Sequence, residues 1–222
     1  MPTTPDHEPV LSGTPRTGPA LAGASALPGA AAPARSSVAT DVALVATFAA
    51  FIAVCALLPN IPVAGIPVPI TLQTFGVMLA GVVLGARRGA LAVLLYLAVG
   101  LAGLPIFAEG TGGLGAIGKV SFGYLVAFPF AAAIAGALVT LGRRVRARVL
   151  PVVVFGAAMA GSLLATHPIG ITVLGWRAGM SAREAITAGA VFLPGDVIKN
   201  ALVAVVATAV FRAFPDMLRR RR

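Results

Sequence analysis

Phe192-Leu-Pro-Gly-Asp196-Val-Ile-Lys199-Asn200 opens an apolar run that continues to about residue 213, and its reading decides what kind of fold this chain can adopt. The run suits the ~17 to 25 residues that an α-helix needs to cross the hydrocarbon core of a bilayer. Yet it begins with an acid and a base three residues apart. An ionisable side chain at the centre of a membrane helix costs roughly 2.5 to 3.5 kcal/mol on insertion scales, so such residues face a partner or a water-filled cavity. Asp196 and Lys199, at i and i+3, share one helix face and are the first candidate site residues. A carboxylate there can accept N–H groups from a planar polar ligand, and a lysine can pair with a ligand carboxylate or neutralise the aspartate. The structural alternative is an ion pair that staples this helix to a neighbour.

The rest of the chain agrees with a membrane setting. Of 222 residues, 58% are hydrophobic and 11% are charged, against ~25% charged in a soluble domain, and the mean hydropathy is +0.96. The net charge of +10 does not point to nucleic acid, because the arginines sit in short clusters between apolar runs without interleaved aromatics. It reads as a topology signal. The single cysteine, Cys55, lies inside the first apolar run, which leaves neither a disulfide framework nor a thiolate metal site.

Residues 1 to 38 are rich in Pro, Ala, Gly, Ser and Thr without apolar periodicity, which predicts a disordered tail and not a secretory signal. Six apolar spans follow, at roughly 41 to 58, 70 to 85, 88 to 104, 122 to 141, 150 to 174 and 195 to 213, within a domain of residues 39 to 214. Proline and glycine mark the breaks: Pro59 to Pro69, Gly85 to Gly89, Pro105 to Gly118, Gly142, and Pro194-Gly195. Backbone in lipid must satisfy its own hydrogen bonds, so the expected fold class is all-α, a six-helix integral membrane protein, with open sheets excluded. Residues 215 to 222 read as a basic C-terminus that can attract anionic lipid.

Counting basic residues on alternate sides places thirteen on one face, from Arg16, Arg35, Arg87, Arg88, Arg143, Arg144, Arg146, Arg148, Arg212 and Arg219 to Arg222. Lys119, Arg177 and Arg183 fall on the other. The positive-inside rule then predicts a multi-pass membrane protein with both termini cytoplasmic. Asp196 and Lys199 start the sixth helix on the outer side. So do the polar stretch Val68-Pro-Ile-Thr71-Leu-Gln73-Thr74 and the glycine-rich loop from 105 to 124.

Thr71 is a candidate ligand contact that also suits a helix cap, whereas Gln73 lies past the cap position and could donate to a ligand carbonyl. The 105 to 124 loop, with Thr111, Gly112 and Gly113, can bring its N–H groups to a ligand and act as a lid. Two nucleotide-like patterns within it are refused. Gly113-Leu-Gly115-Ala-Ile-Gly118 lacks a βαβ context, and the P-loop likeness ending at Lys119 has Val120 where Ser or Thr is needed. ATP binding and any cofactor are therefore not expected of this chain. His167, followed by Pro168 in span five, reads as a helix-bend residue because no second ligand type lies near it. No Ser-His-Asp or His-Glu-His set supports an enzyme. In span one, Ala46 and Ala50, and Ala49 and Ala53, are spaced by four, as on a face where a partner helix docks.

In order, Val68-Pro-Ile-Thr-Leu-Gln-Thr74, Gly85 to Gly89 with paired arginines, Gly103-Leu-Pro-Ile-Phe107, Gly112-Gly113, Gly123-Tyr124 and Phe192-Leu-Pro-Gly-Asp196-Val-Ile-Lys199 resemble the BioY family over about residues 41 to 212. That family comprises biotin-specific S components of energy-coupling-factor (ECF) transporters. The resemblance implies a non-enzymatic, six-helix S component that captures biotin from outside and works with a separate transmembrane scaffold carrying ATPase subunits. It implies that Asp196 receives the ureido N–H groups, Lys199 sets charge in the pocket, Tyr124 packs on the bicyclic ring, Thr111 stands where relatives often carry Asn, and the alanine face of helix one meets the scaffold. Lys119-Val-Ser-Phe-Gly-Tyr124 and Glu109 depart from the family pattern, with Lys119 a partner for either Glu109 or the ligand carboxylate. The competing class is a stand-alone proton-coupled secondary transporter of a small carboxylated solute, in which Asp196 and Lys199 exchange a proton.

Overall fold

The apolar runs fold as helices that end where proline and glycine require. The structure, a computed structural model, describes residues 38–142 and 145–219, with 218 and 219 described by backbone alone. Of the tail predicted for residues 1 to 38, only Val38 is among the described residues, and there it begins a helix. Arg220 to Arg222 also lie outside them.

The order of elements is α1 (Val38–Leu57), a hairpin of β1 (Ile61–Val63) and β2 (Ile66–Ile70), α2 (Gln73–Leu84), α3 (Ala86–Leu101), and a loop with two 3-10 turns (Ala108–Gly110, Leu114–Gly118). Then come α4 (Phe122–Leu141), α5 (Leu150–Gly161), a π turn (Ser162–Thr166), α6 (His167–Ala178), α7 (Ala182–Ala190), α8 (Leu193–Ala213) and α9 (Pro215–Arg219).

Four helical segments are long and apolar enough to cross a membrane: α1, α4, the continuous stretch Leu150–Ala178, and α8. The chain is a multi-pass membrane protein. The six predicted spans each coincide with a helical segment, but two of them are short. α2 has 12 residues and α3 has 16, about 18 and 24 Å at 1.5 Å per residue, less than the ~30 Å hydrocarbon core. The hairpin, α7 and α9 had no counterpart in the sequence reading. β1 and β2 pair antiparallel, Ile61 with Ile70 and Val63 with Ile66, across a turn at Gly65. Sheet is thus present among the described residues, as one small ribbon between α1 and α2.

α2 is short because it is not a lipid-facing rod. All its residues except Thr74 are buried, and it packs against α1, α3, α4 and α8. Small residues permit this. A Cβ at Gly81 would lie 2.2 Å from the Ala132 carbonyl oxygen of α4, and one at Gly89 of α3 would lie 2.6 Å from the Gly81 Cα. Backbones in contact maximise dispersion, the main attraction between helices already in an apolar medium. Gly85, at φ 88°, makes the reversal from α2 into α3, a conformation that a side chain disfavours. Arg88 of α3 then pairs with Asp41 of α1 at 2.8 Å, a structural use beyond the topology signal.

The π turn has a covalent cause in Pro168. Proline lacks an N–H and its ring crowds the carbonyl four residues back, so the helix absorbs the misfit by widening just upstream. After α6, Ser181 caps α7: its hydroxyl accepts from the Glu184 N–H, and the Glu184 side chain accepts from the Ser181 N–H at 2.7 Å. The Ser181 hydroxyl holds the Glu184 carboxyl below the usual carboxylate range, helped by that backbone N–H. α7 returns the chain to Phe192, and Pro194 enters the first turn of α8, where a missing N–H costs no hydrogen bond.

Candidate ligand-binding site

The starts of α2 and α8, the first turns of α4 and the π turn converge on a cavity of about 490 Å³, within the ~300 to 1,000 Å³ typical of small-molecule sites. Gln73 and Thr74 enter it from α2, Tyr124, Leu125 and Phe128 from α4, Thr166 and His167 from the π turn and α6, and Phe192, Asp196 and Lys199 from the start of α8. Pro67 to Thr71 of the hairpin, and the loop through Phe107, Glu109, Thr111, Ala116 and Lys119, complete the wall.

Asp196 is the electrostatic centre, with 3% of its surface exposed. Lys199 Nζ lies 2.7 Å from its Oδ1, and His167 Nε2 lies 2.9 Å from its Oδ2. Thr74 Oγ1 donates to Oδ1 at 3.4 Å, and the lysine donates onward to the Thr71 carbonyl at 3.3 Å. An ionised carboxylate can only accept, so the His167 proton facing it sits on Nε2. Three of roughly four lone-pair positions on the carboxylate are thereby engaged. The remaining one can accept from a ligand.

His167 corrects the sequence reading. The helix is irregular beside it, as expected of a bend, but the residue is buried, lines the cavity and holds Asp196. The usable signal was polarity: Thr166-His167 interrupts an apolar span as Asp196 and Lys199 do. Thr71 is corrected too. α2 begins at Gln73 behind Leu72 with no side-chain cap, and Thr71 serves through its backbone carbonyl.

Gln73 is buried and donates its amide N–H to Tyr96 Oη at 2.9 Å, while Tyr96 donates to the Ile106 carbonyl at 3.2 Å. The expected donation to a ligand therefore competes with Tyr96, and the Gln73 carbonyl oxygen is the less committed atom. Tyr96 was absent from the sequence reading. Its ring also meets Phe107 edge-on, with centroids 5.4 Å apart, which links the cavity wall to the loop.

The loop is more ordered than a plain glycine-rich connection. Phe107 and Thr111 form an isolated bridge, the Thr111 hydroxyl donates to the Ala108 carbonyl at 2.9 Å, and Lys119 Nζ donates to Thr111 Oγ1 at 3.1 Å. Thr111 thus borders the cavity, and Lys119 reaches Thr111 rather than Glu109. Glu109 sits at the turn's tip with φ 63°, a left-handed conformation costing roughly 1 to 2 kcal/mol for a residue with a Cβ. Gly112 and Gly113 do not line the cavity. Gly112 packs on the Leu104 carbonyl, and the Gly113 N–H donates to the Gly100 carbonyl at 2.7 Å, so they fasten the loop to the end of α3. Arg177 of α6 holds the other end through the carbonyls of Ile117 and Lys119, and its guanidinium lies over the Phe122 ring.

Tyr124 lines the cavity, its ring edge-on to Phe192 with centroids 5.8 Å apart. The four alanines of α1 divide. Ala46 and Ala50 are exposed, whereas Ala49 is buried and Ala53 half-buried within this chain, so the predicted docking face cannot use all four at once.

A model of the BioY family matches residues 27–216. The chain is similar to "Biotin transporter BioY" of Rhizobium etli, 43% identical over 179 residues that cover 79% of this chain and 95% of that protein. It is similar to the protein of the same name from Rhodobacter capsulatus, 38% identical over 194 residues that cover 82% and 98%. Its fold is similar to the crystal structure of the S component for biotin from an ECF-type ABC transporter, with a TM-score of 0.70 and 28% identity over 78% of this chain and 92% of that one. Set beside a cavity centred on Asp196 at the start of α8, these likenesses lead to one conclusion: the chain belongs to the BioY family.

Proposed function

We propose that this chain is the biotin-binding S component of an ECF-type vitamin transporter, that it takes biotin from the extracellular face, and that a separate ATP-driven module supplies the energy. It is a transport component and not an enzyme. The observation that carries the ligand reading is the buried Asp196 carboxylate, held by Lys199, His167 and Thr74 and still able to accept from a planar N–H donor. Lys119 at the loop side of the cavity offers a cation for the valerate carboxylate. ATP is bound by the partner subunits only, and biotin is cargo, not cofactor.

In this reading six segments traverse the membrane: α1, α2, α3, α4, α5 with α6, and α8. α2 serves despite its length because it is enclosed by other helices, and the hairpin completes its path on the outer side. Both termini are cytoplasmic, in line with the arginine asymmetry. The exposed Ala46 and Ala50 of α1 are the alanines available to the transmembrane scaffold.

The test is retention of labelled biotin by the detergent-purified chain, in competition with unlabelled biotin, thiamine and riboflavin. Displacement by biotin alone is expected. Equal displacement by all three, or no retention, contradicts the reading.

A further inference from the structure

Hydrogen-bond donors in the cavity wall can be inventoried one by one. Lys199 donates to Asp196 and the Thr71 carbonyl, Thr74 to Asp196, Gln73 to Tyr96, and Lys119 to Thr111. Two residues of the wall, Tyr124 and Thr166, carry buried hydroxyls that have no hydrogen-bond partner in the structure. A buried hydroxyl without a partner is unfavourable, because its lost hydration is not replaced. Natural proteins keep such groups where something else completes them.

The placement of both hydroxyls is built, not incidental. Gly170 of α6 has no Cβ, and one would fall 2.3 Å from Tyr124 Cε1, so the glycine clears the space that the ring occupies. Phe192 holds the ring from another side. Gly170 and Phe192 thus fix the position of the ring, and with it that of the buried hydroxyl. Thr166 is the last residue of the π turn, directly before His167. π turns inside α-helices occur frequently at functional sites, where they re-aim a side chain. Here the widened turn ends on the residue with the uncommitted hydroxyl, and the next residue meets Asp196.

We infer that Tyr124 Oη and Thr166 Oγ1 form a donor subsite for the carbonyl oxygen of a cyclic urea that donates an N–H group to Asp196. The inference rests on the reading of the ligand as biotin and adds two specificity-determining residues to it. A urea needs an acceptor for its N–H edge and donors for its oxygen, and the two demands fall on different residues. Asp196 answers the first. An ionised carboxylate cannot answer the second, and Tyr124 and Thr166 are the residues of the wall whose buried hydroxyls have no partner. In this arrangement Tyr124 acts through its hydroxyl rather than by stacking its ring on the bicycle.

The experiment compares biotin with 2-iminobiotin, in which an imino nitrogen replaces the urea oxygen, by calorimetry on the full detergent-purified chain at a pH where the imino group is protonated and cannot accept. The proteins are wild type, Tyr124→Phe, Thr166→Val, Thr166→Ser and Asp196→Asn, each checked for an intact thermal transition. Tyr124→Phe and Thr166→Val are each expected to lose about fivefold or more in biotin affinity. Both should also narrow the preference for biotin over 2-iminobiotin, while Thr166→Ser, which keeps the hydroxyl, retains both. Wild-type biotin affinity in the Phe and Val variants, with Asp196→Asn impaired, overturns the subsite and leaves the biotin reading in place. Equal losses for the two ligands also overturn it, since a purely structural role would produce that pattern. Absence of biotin binding by the wild-type chain overturns both.

Discussion

His167 Nε2 stands 2.9 Å from Asp196 Oδ2 with both side chains buried, so the break in one helix and the first turn of another share a hydrogen bond inside the cavity. Neither residue is placed well by its own helix alone. The π turn sets the angle of His167, and Pro194 starts α8 one turn before Lys199, which approaches the same carboxylate from its own helix.

Removing the imidazole takes one donor from a buried carboxylate. His167→Phe is therefore expected to weaken biotin binding by about 1 to 3 kcal/mol, the scale for a buried polar group left short of a partner. His167→Gln, which can still donate from its amide, should recover part of the loss. Calorimetry in detergent measures both. Equal affinity for all three proteins contradicts this role for the histidine.

Tyr96 connects the Gln73 amide to the Ile106 carbonyl at the foot of the loop. Tyr96→Phe deletes both hydrogen bonds while keeping the edge contact with Phe107, and a stability loss of about 1 to 3 kcal/mol is expected. Hydrogen exchange over residues 106 to 111 should accelerate. Protection identical to wild type would show that the loop does not depend on this relay.

Gly81 is closed in by the Ala132 backbone, whereas Gly156 of α5 has nothing within 4 Å of where a Cβ would stand. Gly81→Val should lower the melting midpoint in detergent by the equivalent of at least ~1 to 3 kcal/mol of overpacking. Gly156→Ala should be neutral or stabilising by up to ~1 kcal/mol through helix propensity. Comparable melting of the two variants would contradict close packing of α2 on α4.

Energy coupling separates the S-component reading from a proton-coupled carrier built on Asp196, Lys199 and His167. Uptake of labelled biotin in cells lacking the partner ATPases is expected to fall to background and to return when they are supplied. Uptake that persists without them and collapses with an uncoupler favours the carrier.

Much of this architecture is legible in the chain because lipid makes periodicity and charge expensive to violate. The helix ends at Leu141 and near Ala213, and the place of Asp196 in a cavity wall, follow from apolar length and from the cost of a buried charge. What was not legible depends on tertiary partners. A 12-residue α2 reads as part of a full span until its burial by neighbours removes the need for length. His167 reads as a bend because its partner lies 29 positions away. Tyr96 hides within an ordinary apolar run, and Gly112 and Gly113 read as ligand contacts although Gly112 packs on the Leu104 carbonyl and Gly113 donates to the Gly100 carbonyl. Alternation along α1 likewise cannot tell which alanines the chain's own interior will consume.

The most direct measurement is a calorimetric titration of biotin into the purified wild-type chain and into Asp196→Asn, side by side in the same detergent. Saturable one-site binding is expected of the wild type, with a loss of at least ~1 to 3 kcal/mol in the variant. Matching affinities, or no heat from the wild type with biotin, would contradict it.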